Sequence, residues 1–203
     1  MTSSTGLRDR KKAATRAALS AAAVRLSRLH GLDAVTAEAI AAEADVSTRT
    51  FHNYFPSKED AILYQAESSV QEWVDDLRAR PVHEPIWDSL EALAIAYVSD
   101  DSRDLEDLSV VSRLVEQSPA LMARTVQMHN TVSRLFGEAI AERTGTDIDS
   151  DLYPNLLQVA VGGAMKTVIE LCISENAGGR TPKQLVSEAF ALLRAGLPQP
   201  THN

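Results

Sequence analysis

Apolar residues recur along most of this chain at spacings of three and four, the period of an amphipathic α-helix. The first such stretch predicts a helix from about Arg8 to His30, ended by Gly31. Two short helices follow, and Thr36 and Ser47 are their predicted N-caps. Because strict alternation of apolar and polar residues is scarce, the pattern predicts an all-α protein of about nine helices.

The two short helices share a local pattern that fixes where each begins. An apolar residue precedes each cap, and Ile40 or Phe51 follows the cap four positions later, which is the spacing of a hydrophobic staple. Asp45 lies between the helices, where the chain must reverse direction, and we expect it to adopt a left-handed conformation. Two helices joined by so short a turn predict a helix-turn-helix.

The remaining helices are marked by caps, prolines and glycines. Ser57 and Asp60 have the spacing of a capping box at the start of a fourth helix, which ends at Pro81. Four later helices each have a proline in the first turn, the last within a second capping box: Pro85, Pro119, Pro154 and Pro182. A further helix is predicted over residues 108–115. We therefore predict a headpiece over residues 1–56, a helical body over 57–197 and a disordered tail over 198–203.

The headpiece resembles the DNA-binding domain of the tetracycline-repressor (TetR) family of bacterial transcriptional regulators. The similar positions are Ile40-Ala41, Ala44, Val46-Ser47, Thr50, Tyr54-Phe55 and Ser57-Lys58-Glu59-Asp60. Asp45 stands where glycine is common in the family, and His52 stands where tyrosine is common. The resemblance implies that residues 1–56 bind DNA, that residues 57–197 bind an effector, and that the last two helices form a four-helix dimer bundle.

The second helix of a helix-turn-helix lies in the major groove, where its N-terminal residues reach the edges of the bases. The predicted base contacts are therefore Ser47, Thr48, Arg49, His52 and Asn53. Arginine binds guanine through two hydrogen bonds, so Arg49 is the main candidate for base recognition. The alternative is a solvated arginine on a helix surface.

Three further residues match phosphate-contacting positions of the family resembled: Thr36, Tyr54 and Lys58. A hydroxyl or an ammonium group donates hydrogen bonds to phosphate oxygens. A structural interpretation also exists, because Thr36 can serve only as a cap and Tyr54 as a core aromatic residue. The basic stretch Arg10-Lys11-Lys12 is either an arm toward the DNA or a set of solvated charges.

The 203-residue chain carries a formal net charge of −8, which argues against indiscriminate coating of DNA. The charge is unevenly distributed. Residues 1–60 contain nine Lys/Arg and seven Asp/Glu, whereas the remaining residues contain 11 Lys/Arg and 21 Asp/Glu. A weakly basic headpiece is thus joined to an acidic body.

A single headpiece makes few contacts, and helix-turn-helix proteins usually bind palindromic sites as two-fold dimers. We therefore predict a homodimer on a palindromic operator of double-stranded DNA. Seven residues of the last two helices are predicted to form its interface: Leu156, Val159, Gly163, Leu185, Ala189, Phe190 and Leu193. The alternative is that these residues pack in the core of one chain.

The body also carries aromatic residues and methionines, which are typical both of an apolar ligand pocket and of an ordinary helical core. The resemblance favours a pocket for a small, largely apolar effector, which would release the DNA by shifting the fourth helix. Ten residues are predicted to line this pocket: Trp73, Leu77, Trp87, Leu90, Tyr97, Met122, Val126, His129, Met165 and Ile169.

Residues suited to catalysis or metal binding are few. The five histidines lack a metal-binding spacing, and the stretch Asp147-Ile148-Asp149-Ser150-Asp151 departs from a calcium loop because Leu152 replaces the required glycine. Cys172 is the only cysteine, so no intrachain disulfide can form, which favours the cytoplasm. Lys166 and Glu170 interrupt the longest apolar run. We predict no cofactor, no metal, no membrane segment and no enzymatic activity.

These observations predict a sequence-specific, ligand-responsive transcriptional repressor. The alternative is a helical small-molecule or acyl-group binding protein, or an enzyme, with a vestigial headpiece. The two hypotheses differ in the headpiece, because a vestigial one has no reason to keep Arg49, Tyr54 and Lys58 at DNA-facing positions.

Overall fold

The computed structural model describes residues 6–100, 105–174 and 177–199. Nine α-helices occur in these ranges: α1 (Leu7–His30), α2 (Ala37–Glu43), α3 (Thr48–Tyr54), α4 (Lys58–Ala79), α5 (Ile86–Val98), α6 (Leu105–Gln117), α7 (Pro119–Thr144), α8 (Leu152–Ile173) and α9 (Pro182–Arg194). A 3₁₀ turn, Leu32–Ala34, connects α1 to α2. These ranges contain no strand, so the all-α class predicted from the sequence is confirmed. Residues 200–203 of the predicted tail lie outside the described residues.

Side-chain oxygens begin the helices at the positions that the sequence marks. Thr36 and Ser47 each accept a hydrogen bond from the backbone N–H three residues later, at 3.2 and 3.1 Å. Ser57 accepts one from the N–H of Asp60 at 3.2 Å and donates its own hydroxyl to the Asp60 carboxylate at 2.8 Å. The capping box predicted at the start of α9 is also present. These bonds satisfy N–H groups that have no partner within a helix.

The chain divides into two compact units. Unit 1 contains the residues up to Ser69 together with Val110–Met128, and unit 2 contains Val70–Ser109 and the residues from His129 onward. Three helices therefore continue from one unit into the other: α4, α6 and α7. Unit 1 is larger than the headpiece of residues 1–56, because it adds the first half of α4 and the junction between α6 and α7.

The core of unit 1 is built from α1, the helix-turn-helix and the start of α4. Its fully buried side chains include Leu19, Ile40, Phe51, Phe55 and Ile62. Val110, Leu114 and Leu121 belong to the same core. Burial of such side chains stabilises a fold by about 1.5–3 kcal/mol each, so the α6–α7 junction is a substantial part of this unit.

The core of unit 2 combines α5, α8 and α9 with the second half of α4 and most of α7. Its most deeply buried residues include Val74, Leu77, Leu90, Ile140, Val186 and Phe190. The Trp73 ring stands edge-on to Tyr97 and Phe136, with centroids 5.9 and 6.0 Å apart. This aromatic group fixes the second half of α4 against α5 and α7.

Arg143 of α7 secures the end of α4. Its guanidinium donates hydrogen bonds of 2.9–3.2 Å to five oxygens: Leu77 O, Arg80 O, Pro81 O, Glu84 O and Ser89 Oγ. The last carbonyls of a helix have no partner within it, so Arg143 satisfies groups at this end and in the loop that follows. Hydrogen bonds from Arg80 and Ser89 lower the pKa of Glu84 to about 2, so Glu84 stays ionised in the same cluster.

By length and composition α8 is apolar enough to cross a membrane, with a mean hydropathy of 1.6 over 18 residues. Lys166 and Glu170 interrupt the apolar sequence of this helix, as expected, but the mean hydropathy of the window stays high despite the two charges. One such helix is weak evidence for a membrane segment. One face of α8 lies in the core of unit 2 through Leu157, Val161 and Val168. A helix of a soluble protein has the same composition when one face is core and the other face is also apolar.

Candidate nucleic-acid interface

The turn between α2 and α3 has the tight geometry of a helix-turn-helix. The N–H of Val46 donates to the carbonyl of Ala41 at 2.9 Å, and the N–H of Asp45 donates to the carbonyl of Ala42 at 3.2 Å. Asp45 has a φ of 52°, so the predicted left-handed conformation is confirmed. Ala41 is buried where the two helices approach each other, and its small side chain allows that approach.

Two opposite faces of α3 differ in exposure. Phe51 is fully buried in the core of unit 1, and it holds α3 in place. Ser47, Arg49, His52 and Asn53 are exposed, so four of the five predicted base contacts point away from this core. The fifth, Thr48, is half-buried in the first turn. A short helix that is anchored on one face and polar on the other is suited to enter a major groove.

The three predicted phosphate contacts lie at the ends of these helices. Thr36 is exposed at the start of α2, and Tyr54 is half-buried at the end of α3. Lys58 Nζ donates to the carbonyls of Leu32 and Val35, at 2.8 and 3.0 Å. An ammonium group has three N–H donors, so these two hydrogen bonds, which anchor the chain just before Thr36, do not use all the donors of Lys58.

Two family models match this chain. One, described as bacterial regulatory proteins of the tetR family, matches residues 19–63, which include the helix-turn-helix. The other, described as the MftR C-terminal domain, matches residues 84–198, more than half of the chain. The chain belongs to the TetR family. The resemblance seen in the sequence is thereby confirmed.

The TetR assignment agrees with a curated relative and with solved structures. The HTH-type transcriptional regulator TcmR of Streptomyces glaucescens is 31% identical over 173 residues, which cover 81% of this chain and 75% of TcmR. The fatty acid degradation regulator FadR of Bacillus halodurans superposes with a TM-score of 0.62 at 20% identity, covering 92% of this chain and 97% of its own. SmeT in complex with triclosan superposes with a TM-score of 0.62 at 16% identity, covering 94% of this chain and 100% of its own.

A third TetR structure, FadR of Thermus thermophilus in complex with lauroyl-CoA, gives a TM-score of 0.56 at 19% identity, covering 92% of this chain and 97% of its own. At such identities these structures show a shared fold. As a TetR family member, the protein is a DNA-binding transcriptional regulator and not an enzyme. The alternative of a carrier or enzyme with a vestigial headpiece is thereby set aside.

Two further contacts lie in unit 1 of this TetR protein, and no local pattern in the sequence marks either of them. The Arg16 guanidinium lies over the Tyr64 ring, 4.4 Å from its centroid, and 5.2 Å from that of Phe55. Arg124 of α7 forms an ion pair of 2.6 Å with Asp60 in the first turn of α4. Burial would raise the pKa of Asp60, but hydrogen bonds from Arg124 and Ser57 outweigh it and hold that pKa below its ordinary value.

The predicted effector residues of this TetR regulator have different environments. Leu77 and Leu90 are fully buried in the core of unit 2, and Met165 is 8% exposed there. Trp73, Trp87, Tyr97 and Ile169 are half-buried in unit 2. Met122 and Val126 are exposed on the part of α7 that belongs to unit 1. The side chain of His129 lies outside the described residues.

A shallow cleft of about 400 Å³ lies elsewhere in unit 2, between the end of α7 and the loop before α8. Its lining includes Glu138, Glu142, Asp147 and Asp149, none of which is among the predicted effector residues. Within the acidic loop the N–H of Asp149 donates to the Asp147 carboxylate, and Arg134 of α7 pairs with Asp149 at 2.8 Å. Within the described part of the chain, no three His, Cys, Asp or Glu side chains are grouped to hold a metal.

The predicted dimer residues separate into an exposed set and a buried set. Leu156 and Val159 are 63% and 61% exposed on α8, and a Cβ added at Gly163 meets no atom within 4 Å. By contrast, Leu185 and Phe190 are 3% and 0% exposed. These two side chains fill the core of unit 2, so they cannot form an interface with a second chain. Ala189 and Leu193 are half-buried.

Further exposed apolar side chains extend the α8 surface beyond the predicted set. Leu152, four residues before Leu156, is 76% exposed, and Leu192 of α9 is 42% exposed. Positions 152, 156, 159 and 163 of α8 have the spacing of one face of a helix, and this spacing is visible in the sequence. We call Leu152, Leu156, Val159 and Gly163 the apolar face.

Proposed function

We propose that this TetR family protein is a homodimeric repressor, which binds a palindromic operator and leaves it when a small, largely apolar effector binds. The observation that carries the proposal is the exposed side of α3. Arg49, His52 and Asn53 stand on a helix that is capped by Ser47 and anchored by the buried Phe51. These are side chains that bind base edges in a major groove.

The apolar face supports the homodimer. Soluble monomers rarely expose a continuous apolar row, and such rows commonly mark protein–protein interfaces. A two-fold axis would bring the same face of a second copy against it, since dimer interfaces of this kind are self-complementary. The interface that we propose therefore keeps Leu156, Val159 and Gly163, adds Leu152 and Leu192, and omits Leu185 and Phe190.

The half-buried aromatic residues of unit 2 support the effector site. We propose that Trp73, Trp87, Tyr97 and Ile169 contact the effector, because such side chains offer an apolar surface near the solvent boundary. Triclosan is bound by SmeT, and lauroyl-CoA is bound by the FadR of Thermus thermophilus. Both molecules carry an apolar group, which makes them suitable first probes. Because bacterial chromosomes lie in the cytoplasm, we propose that location for the protein.

Release of DNA would follow if the effector prefers an arrangement of the protein that binds DNA poorly. α4 is continuous through both units, so a displacement of its second half reaches its first turn. The two headpieces of a dimer must match half-sites at a fixed spacing. A change in α4 would therefore weaken both groove contacts together.

The DNA-binding part is tested by selecting duplexes from a random library with the full-length protein and measuring affinity by fluorescence anisotropy across a salt series. Arg49→Ala should lose about 1–3 kcal/mol of discrimination at one base position. Lys58→Ala should weaken all duplexes alike and reduce the salt slope by about one unit. Because Lys58 also anchors the chain before α2, melting temperatures of both variants are compared with wild type.

Enrichment of no palindromic sequence would contradict the proposed operator. Equal effects of the Arg49 and Lys58 substitutions on specific and random duplexes would contradict the division into base and phosphate contacts. Titration with triclosan and with lauroyl-CoA then tests release, since an effector must lower the affinity for the selected duplex.

A further inference from the structure

One side chain of α7 binds the whole connection between α4 and α5. The two terminal nitrogens of Arg143 donate hydrogen bonds of 2.9–3.2 Å to five oxygens in the last turn of α4, the following loop and α5: Leu77 O, Arg80 O, Pro81 O, Glu84 O and Ser89 Oγ. A guanidinium is planar and always charged, so bonds from both terminal nitrogens fix its orientation. We call Arg143 and these five oxygens the arginine clamp.

The arginine clamp lies in the interior part of unit 2. Leu77 and Ser89 are fully buried, and Arg143 is half-buried. Ser89 Oγ accepts from Arg143 and donates to the Glu84 carboxylate at 2.5 Å, so this buried hydroxyl is bonded on both sides. Removal of the charged donor would leave these acceptors without a partner, which is costly away from water.

A neighbouring ion pair between the same two helices is of a different kind. Arg78 of α4 pairs with Glu142 of α7 at 2.8 Å, and the two side chains are 40% and 54% exposed. Exposed ion pairs contribute little to stability, because water screens their charges. Of these two polar links between α7 and the end of α4, the arginine clamp is therefore the stronger.

The start of α4 belongs to unit 1. Ile62 is fully buried in the core of that unit, together with Phe51 of α3. Lys58, the first residue of α4, donates to two carbonyls between α1 and α2. Because α4 is one helix of 22 residues, a stiff element joins the headpiece to the residues that the arginine clamp holds.

We propose that Arg143 is a positioning residue for DNA binding, because the arginine clamp fixes the end of α4 and thereby sets the distance between the two half-sites that the dimer accepts. This inference rests on the proposed function, since it requires two headpieces on one operator. In the proposed dimer, α8 joins the two copies of unit 2, and each α4 leads from there to a headpiece. The bases that α3 reaches then depend on how the end of α4 is held.

Loss of the arginine clamp has a specific consequence for DNA recognition. One additional base pair between two half-sites moves them apart and rotates one relative to the other by about 35°. While the clamp holds α4, the two headpieces do not follow that movement, so wild type accepts one spacing. Without the clamp, α4 adopts several arrangements. The accepted spacing then broadens, and the affinity for the best spacing declines because the headpieces are no longer preorganised.

The experiment uses the full-length protein, a palindromic duplex that it has itself enriched from a random library, and two duplexes with one base pair more or fewer between the half-sites. Misplacing a half-site costs at least as much as one mismatch, so wild type should bind either altered duplex about tenfold or more weakly. Arg143→Gln should bind all three duplexes within about threefold of one another. A duplex with a single half-site engages one headpiece, so at low salt both proteins should bind it equally.

Two further variants complete the experiment. Arg143→Lys keeps a positive charge but lacks the planar fork, so it should also broaden the accepted spacing, and it decides the test if the glutamine variant does not fold. Arg134→Gln is the matched control, since Arg134 lies on the same helix and pairs with Glu138 and Asp149. It should keep the spacing preference of wild type. Circular dichroism melts establish which variants are folded.

A wild type without a spacing preference, a sharp preference in Arg143→Lys, or a broadened one in Arg134→Gln would each overturn the inference. Weaker binding of the single half-site by Arg143→Lys would also overturn it, because a damaged headpiece would then explain the result. The same holds if this variant binds the palindromic duplex no more tightly than the single half-site. Enrichment of no palindromic duplex by wild type would instead overturn the proposed function, and this inference with it.

Discussion

The direction of α3 relative to α2 depends on one residue, Asp45. Its φ of 52° lies in the left-handed region, which costs most residues with a Cβ about 1–2 kcal/mol and is tolerated by Asp because its short side chain bonds locally. Glycine reaches this region without that cost. The family commonly has glycine here, so this chain keeps the turn with a less permissive residue.

We expect Asp45→Gly to raise the free energy of unfolding by about 0.5 kcal/mol, because relief of the left-handed strain exceeds the added entropy of the unfolded chain. Asp45→Ala should lower it by about 1 kcal/mol, since alanine has a Cβ and no polar group to bond locally. Urea denaturation at neutral pH measures both. If the Asp45→Ala protein has the same free energy of unfolding as the Asp45→Gly protein, the turn does not impose this conformation in solution.

Single residues also show what the sequence could predict. Thr36, Ser47 and Asp45 were identified correctly because a cap or a turn depends on neighbours within four residues. The ion pair between Asp60 and Arg124 was missed, because its partners are 64 residues apart and nothing local distinguishes Arg124 from a solvated arginine. Sequence patterns report local bonds well and distant pairing poorly.

At the scale of elements, the first turn of α4 is bonded both to its own cap and to α7. Asp60 accepts hydrogen bonds from Ser57 and Arg124, and its pKa lies below the ordinary value. A carboxyl group with a lowered pKa stabilises the folded state above its unfolded pKa. That stabilisation is lost as the pH falls through the lower, folded pKa. The ion pair between Asp60 and Arg124 therefore stabilises the folded state at neutral pH and not in strong acid.

We expect Asp60→Asn to lower the free energy of unfolding by about 1 kcal/mol at pH 7, because asparagine keeps an acceptor for Ser57 but loses the charge. The gap from wild type should close as the pH falls below 3.8, the ordinary value for aspartate. Urea unfolding at pH 7, 4 and 3 provides the measurement. Arg124→Met and the double variant complete a cycle, and additive losses at pH 7 would show that the two groups are not coupled.

The helices themselves were predictable, but their partners were not. Prolines, caps and glycines gave the helix boundaries to within a few residues, because each acts on its own turn. The assignment of Val110–Met128 to unit 1 has no comparable signal, since an apolar stripe shows that a face is buried and not against which helix. For the same reason Leu185 and Phe190 were placed at a dimer interface, although they fill the core.

At the scale of the whole molecule, the apolar face is the surface through which we propose that two copies assemble. Leu152, Leu156 and Val159 are each more than 60% exposed, which leaves a row of large apolar side chains in contact with water in one chain. Association of two copies would remove this area from water at about 25 cal/mol per Å². In the proposed complex each operator half-site needs its own headpiece, so assembly and DNA affinity should be lost together.

We expect Leu156→Glu to convert the protein from dimer to monomer and to abolish binding to the selected palindromic duplex, because the two-fold axis would place two carboxylates in an apolar contact. Sedimentation velocity and anisotropy measure the two effects. Val82→Glu is the matched control, since Val82 is 87% exposed in the loop before α5 and should have no effect on either. A Leu156→Glu protein that remains dimeric would exclude α8 from the interface.

The 22 residues of α4 contain both Asp60, which pairs with Arg124, and Leu77, whose carbonyl accepts a hydrogen bond from Arg143. A rod of that length measures about 33 Å. Tilting it by about 5° around one end carries the other end through about 3 Å, close to the 3.4 Å that separates successive base pairs along one strand. In the proposed complex, a tilt of that size would put α3 out of register with its bases without unfolding any part of the protein.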